Sequence, residues 1–167
     1  MPQNLDLAED IKRLAERLSR LEDIRKLNTL RHDLPRHINN GDWARVGDLF
    51  SVGATVDYAH LGQISGRDEI RKYFANLPDV IGQDKPGSRV SVKQFVHGHE
   101  VEVLGDRASG VSFFEERVVF DDESFMVAGR FDDRYVREAG RWLFESIALD
   151  LYWVLPHSEG LTRKENA

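Results

Sequence analysis

The chain has 167 residues, 41% of them hydrophobic, enough for one sizeable core with little left for a second domain. Its 23 basic and 29 acidic residues give a net charge of -6 with no long block of either sign, which argues against nucleic acid as a partner. The absence of cysteine excludes disulfides, thiolate metal ligands and a cysteine nucleophile, and no apolar run approaches the roughly 18 residues that span a bilayer, so the expected location is the cytoplasm.

The first element is an N-terminal helix. Leu7, Ile11, Leu14, Leu18 and Leu21 repeat at alternating steps of four and three with charged residues between them, the spacing of a narrow helical stripe. The steps then change to Ile24, Leu27, Leu30 and Leu34, so the apolar face rotates and a strict coiled coil cannot continue. This divides the chain into an arm over residues 1–22 and a domain over 23–156, with a polar tail over 157–167. A stripe this apolar packs across its own domain or a neighbour's, and a homodimer or homotrimer is expected.

Pro35 need not stop the helix, but Asn39, Asn40 and Gly41 do, and Asp42 is placed to cap a second helix from Trp43 to Phe50. Ala54, Val56, Tyr58 and His60 alternate with Thr55, Asp57 and Ala59 as in a strand, so Tyr58 and His60 share a face. Gly66 precedes a third helix carrying Ile70, Tyr73, Phe74 and Leu77, and residues 78–87 read as a loop that could flank a pocket mouth.

The remainder reads as long strands: Arg89 to Leu104, Ala108 to Phe120, Phe125 to Arg137 and Trp142 to Leu155, separated by Gly-containing or acidic turns. Three helices followed by an antiparallel meander define an α+β domain in which the helices cover one face of a strongly curved sheet.

The order Asn39-Asn40-Gly41-Asp42-Trp43, then Tyr58, then Gly66-Arg67-Asp68, and finally Gly140-Arg141-Trp142 resembles the SnoaL-like branch of the nuclear transport factor 2 superfamily over residues 10–155. The resemblance implies a cone-shaped pocket enclosed by helices and sheet. Relatives with such pockets include scytalone dehydratase, bile acid dehydratase, ketosteroid isomerase, polyketide cyclases and limonene epoxide hydrolase, and the fold alone does not choose between them.

Four residues are candidates for acid-base chemistry. Tyr58 stands where the dehydratases place a pocket tyrosine that polarises or protonates a substrate oxygen, although a core aromatic with a wet tip has the same pattern. His60 would add a titratable imidazole on the same strand face, unless it faces solvent at the strand end. Glu116, between Phe114 and Val118, matches an acidic position of the dehydratases. Burial there would raise its pKa, whereas an ion pair with Arg117 would place either Glu116 or Glu115 outside.

Where the dehydratases have a pocket histidine this chain has Gln94, which binds an oxygen but shuttles no proton, so His97 is the candidate replacement base. Leu34 replaces a helix tyrosine and Asn39 a carboxylate, and with Gln94 and Phe114 they are the expected substrate-binding residues. His97 and His99 form a His-x-His pair, but without a recognisable third ligand no metal site is assigned. Arg130, Asp132 and Arg134 read as a solvated stripe.

The expectation is a cofactor-independent lyase acting on a hydrophobic aromatic or polycyclic alcohol. The resemblance also covers lyases that couple hydroxyl loss to carbon-carbon cleavage with formaldehyde release. An isomerase or cyclase, or a non-catalytic binding or assembly module, are the competing readings.

Overall fold

The computed structural model describes residues 3–58, 62–82, 87, 89–121 and 123–157, with side chains from residue 7 onward except Pro78. His60 and the expected tail from residue 158 lie outside the described residues.

Helix α1 runs unbroken from Gln3 to Asn40 with Pro35 inside it. The proline lacks the amide that would bond the Arg31 carbonyl one turn back, so continuity depends on the packing around it. Beyond residue 22 the helix buries Leu27, Leu30, Leu34 and Ile38, the stripe expected of a core helix. Residues 7–22 are exposed apart from the half-buried Asp10.

The second helix is shorter than its sequence suggests. Helix α2 covers Trp43–Val46, a 3-10 turn follows over Gly47–Leu49, and strand β1 already begins at Phe50 and runs to Asp57. Asp42 precedes α2 but its side chain makes no capping hydrogen bond, contrary to expectation. Strand β2 (Gln63–Ser65) pairs antiparallel with β1, helix α3 covers Arg67–Ala75, and a further helix α4 (Leu77–Ile81) occupies part of the expected loop.

Four long strands complete the domain: β3 (Ser91–Leu104), β4 (Arg107–Val119), β5 (Ser124–Glu138) and β6 (Arg141–Pro156). They form the expected antiparallel meander. The six-stranded order is β2-β1-β6-β5-β4-β3, in which β1 lies parallel to β6. The sheet is therefore mixed rather than purely antiparallel, because the helical connection between β1 and β3 lets the first strand return beside the last.

The core lies between the inner sheet face and the helices, with Leu27, Leu34, Phe50, Phe74, Phe131 and Phe144 among its fully buried side chains. Asp23 fixes α1 where it meets the domain. It accepts two hydrogen bonds from Arg137 (3.0 and 2.6 Å) and one from the Trp142 indole (3.0 Å), while Arg137 stacks 4.4 Å above the Trp142 ring. Trp142 of the Gly-Arg-Trp turn thus contributes to the join between the last hairpin and α1. Burial opposes the Asp23 charge, but the hydrogen bonds from Arg137 and Trp142 outweigh it and hold the carboxyl below its ordinary pKa.

Candidate functional site

Strand parity decides which side chains enter the interior. On β4, Ser112, Phe114, Glu116 and Val118 are buried while Glu115 and Arg117 are not. The two sequence alternatives for the glutamates separate cleanly: Glu115 pairs with Arg117 at 3.1 Å outside, and Glu116 turns inward. Tyr58 at the end of β1 also faces in.

Strand β3 breaks parity. Its pairing with β4 runs from Gln94–Glu116 through His97–Phe113 and resumes at Glu100–Val111, so Gly98 and His99 together oppose Ser112. Gly98 has φ +58°, a left-handed conformation that glycine adopts without a Cβ penalty, and the extra residue makes a bulge. Before it, Gln94 and Val96 face inward; after it, His99, Val101 and Val103 do. His97 is consequently exposed on the outer side, and the two histidines do not share a face as expected. His99 takes the inward position, with room supplied by Gly110, where an added Cβ would lie 2.6 Å from the imidazole Nε2.

Two polar clusters occupy the interior. In the first, the Asn39 side chain bonds the Gln94 backbone twice, donating to its carbonyl (2.7 Å) and accepting from its amide (2.6 Å). The Gln94 carboxamide then donates to Glu116 at 2.7 Å. Asn39, one of the expected substrate-binding residues, ties α1 to the edge strand. It satisfies backbone groups that an edge strand leaves open. Burial pushes the Glu116 carboxyl up to about 7, with the hydrogen bond from Gln94 acting in the opposite direction.

In the second cluster Arg31, fully buried on α1, meets Asp133 on β5 at 3.1 Å and donates to Ser112 at 3.2 Å. Its guanidinium carbon lies 4.0 Å over the Phe131 ring. Tyr135 donates to Asp133 (2.9 Å), and His99 joins the Tyr135 hydroxyl (3.0 Å) to the side-chain amide of Asn28 (2.8 Å). The Asn28 atom is the amide oxygen Oδ1, an acceptor, so the imidazole donates from Nδ1 and presents Nε2 as an acceptor to the Tyr135 hydroxyl, whose one proton is shared between Asp133 and His99. Burial, then the charges of Arg31 and His32, bring His99 down to about 4, so it is neutral at physiological pH.

Tyr58 links the clusters. Burial raises its hydroxyl pKa strongly, Arg31 pulls it down, and Tyr73, Glu116 and Asp133 push it up. Tyr73 is likewise pushed up to about 12 by burial, then by Glu116. The two tyrosine rings are 6.3 Å apart, and neither hydroxyl has a hydrogen-bond partner among the described residues. Buried hydroxyls of that kind are donors awaiting an acceptor.

Of the expected substrate-binding residues, Leu34 and Phe114 are buried core, Phe114 packing edge-on to Phe131 at 4.9 Å. Gln94 also lines an open groove of about 410 Å³ between α1 and β3, together with Pro35, Arg36, Asn39 and His97. It therefore separates that groove from Glu116. Among the described residues no group of three or more His, Asp or Glu side chains could hold a metal ion.

The sequence reading missed Arg31, Asp133 and Tyr73. Each had a signal: Arg31 falls on the stripe of Leu27 and Leu34, Asp133 shares parity with Phe131 and Tyr135, and Tyr73 is one turn from Ile70 on α3. A charge on an apolar face implies a buried partner.

A helix laid across a curved mixed sheet, with polar groups gathered inside, defines the cone class of the nuclear transport factor 2-like fold. The SnoaL-like domain family matches residues 19–148, and the chain belongs to it.

Solved structures agree on the fold. The hexachlorocyclohexane dehydrochlorinase LinA type 2 superposes with a TM-score of 0.77 at 14% identity, covering 88% of this chain and 97% of its own. A scytalone dehydratase candidate from Novosphingobium aromaticivorans gives 0.70 at 17%, covering 89% and 97%. A Mycobacterium tuberculosis protein of unknown function gives 0.69 at 19%, covering 80% and 74%. No curated protein matches the chain.

Proposed function

We propose that this protein is a lyase that eliminates water from a hydrophobic aromatic or polycyclic alcohol by proton transfer, without a cofactor. The observation that carries the proposal is Glu116: a buried carboxyl with a pKa of about 7, in one interior with the hydroxyls of Tyr58 and Tyr73, which have no partner among the described residues. A dehydrochlorinase and a scytalone dehydratase candidate among the structural neighbours support elimination chemistry.

A carboxyl that titrates near neutrality is present in both forms and serves as base and acid in one cycle. Glu116 as carboxylate takes the proton next to a substrate carbonyl. Tyr58 and Tyr73 donate hydrogen bonds to the enolate oxygen that develops. The same proton, now on Glu116, passes to the departing β-hydroxyl, and water leaves as the conjugated alkene forms. Glu116 returns to its starting state, so the step balances. Gln94 orients the carboxyl, and His60 is the sequence's further candidate base, two residues beyond Tyr58.

The same observation favours an isomerase as second reading. If the proton on Glu116 returns to a distant carbon instead of a hydroxyl, a double bond migrates and nothing is lost.

The test is a panel of aromatic β-hydroxy ketones and aromatic alcohols followed by absorbance for a conjugated product and by mass for loss of water, with formaldehyde assayed alongside. Glu116→Gln is expected to lower turnover about a hundredfold or more. Turnover unchanged in that variant would end the assignment, and a conjugated product of unchanged mass would select the isomerase.

A further inference from the structure

The first 16 described side chains of α1, residues 7–22, touch almost nothing. Leu7, Ile11, Leu14, Leu18 and Leu21 are 58, 58, 59, 59 and 63% exposed. The flanking residues Ala8, Glu9, Ala15 and Glu16 are exposed as well, so the helix stands free of its own domain on every side. A lone segment of this length is marginal as a helix in water, and five large aliphatic side chains in one row make a surface that calls for cover.

The row has a phase that specifies its cover. Steps of four, three, four and three place Ile11 and Leu18 at the a positions of a heptad and Leu7, Leu14 and Leu21 at d. A helix docked on a globular partner buries a broader face, with a third apolar position in each heptad. Here the e positions flanking the row hold only small or charged side chains, Ala8, Ala15 and Glu22, and the g positions are Asp10 and Arg17, so no large apolar side chain widens the stripe beyond a and d.

We infer that residues 7–22 form a two-stranded parallel coiled coil with the same segment of a second copy of this chain. A β-branched residue at a with leucine at d favours two strands. Charge sets the direction. In a parallel pair each g residue faces the e residue five positions on in the partner, which brings Arg17 opposite Glu22 twice. Neither residue has an ion-pair partner in its own chain among the described residues. The antiparallel pairing would instead use Asp10 opposite Arg17, and Asp10 is already paired with Arg13 of its own helix at 2.7 Å. The seam ends where the domain begins, since Asp23 is turned inward by Arg137 and Trp142, and the next a and d positions are Arg25 and Asn28.

The chain lacks cysteine, so an introduced thiol is unique and reports strand direction. Multi-angle light scattering and sedimentation equilibrium on the full chain are expected to give a concentration-dependent dimer. Leu14→Asp with Leu18→Asp should weaken it at least tenfold and leave a folded monomer by circular dichroism. Leu7→Cys and Leu21→Cys should each cross-link to themselves on mild oxidation. A monomer at all concentrations, a dimer indifferent to the double substitution, a trimeric mass, or cross-linking only when the two cysteine variants are mixed would each overturn the inference.

Discussion

Two carboxyl groups are buried in the same interior and are treated differently. Asp133 sits against the Arg31 guanidinium and accepts from Tyr135, so its charge is compensated. Among the described residues, Glu116 has only the neutral Gln94 carboxamide. Burial raises the pKa of both, but Arg31 and Tyr135 act against that rise at Asp133, and Gln94 alone acts against it at Glu116. The comparison separates a carboxylate that holds the fold from a carboxyl free to exchange a proton near neutral pH.

Breaking the compensated pair tests the first half of this comparison and carries the largest expected effect. Arg31→Met leaves Asp133 buried without its cation and should cost about 3–5 kcal/mol of stability by urea unfolding. The double variant with Asp133→Leu should recover much of that loss, because it removes the orphaned charge. A single-variant cost under about 1 kcal/mol would mean that the pair does not anchor α1 to β5.

Glu116 tests the other half through pH. Its folded pKa of about 7 lies above its ordinary 4.5, so the stability linked to this group is complete below 4.5 and is lost as pH rises through 7. The loss is on the order of 3 kcal/mol between pH 5 and pH 8. Glu116→Gln should flatten that slope in chemical unfolding while abolishing the limb near pH 7 in any rate profile. A slope unchanged by the substitution would assign the titration to another group.

The difference between the two carboxyls was only half legible in the sequence. Glu116 could be read because strict alternation on β4 puts it with Phe114 and Val118, and Tyr58 because it follows Ala54 and Val56. Asp133 obeys the same alternation with Phe131 and Tyr135. It was obscured by Arg130, Asp132 and Arg134, whose charges made the whole stretch look solvated. Arg31 needed a partner 102 positions away, which no local pattern supplies. The parallel pairing of β1 with β6 and the short strand β2 were hidden for the same reason, as both depend on contacts distant in the chain or on very few residues.

Asp23 sharpens the comparison by having the opposite sign. Hydrogen bonds from Arg137 and Trp142 hold its pKa below the ordinary 3.8, so its contribution is present above that value and is lost as pH falls through the depressed one. Asp23→Asn should cost about 2 kcal/mol at neutral pH and almost nothing in strong acid. Acid unfolding that is the same in both proteins would show that another group governs the acid limb.

The smallest expected effect belongs to the histidine that the sequence favoured. Alternation carried through β3 from Gln94 puts 96 and 98 inward and treats 97 and 99 as a pair; the bulge at Gly98 inserts one residue and turns only His99 inward. His97→Ala should therefore change stability by no more than about 0.5 kcal/mol and leave turnover intact. His99→Ala removes a link between Tyr135 and Asn28 and should cost more. Substituting Gly98 by alanine strains the left-handed backbone, so it should weaken the bulge and, with it, the inward seat of His99. Tyr135 fluorescence and the His99 imidazole resonances would report that change directly. A loss of turnover in His97→Ala with His99→Ala unaffected would mean that the outer groove, not the buried carboxyl, is where the chemistry takes place.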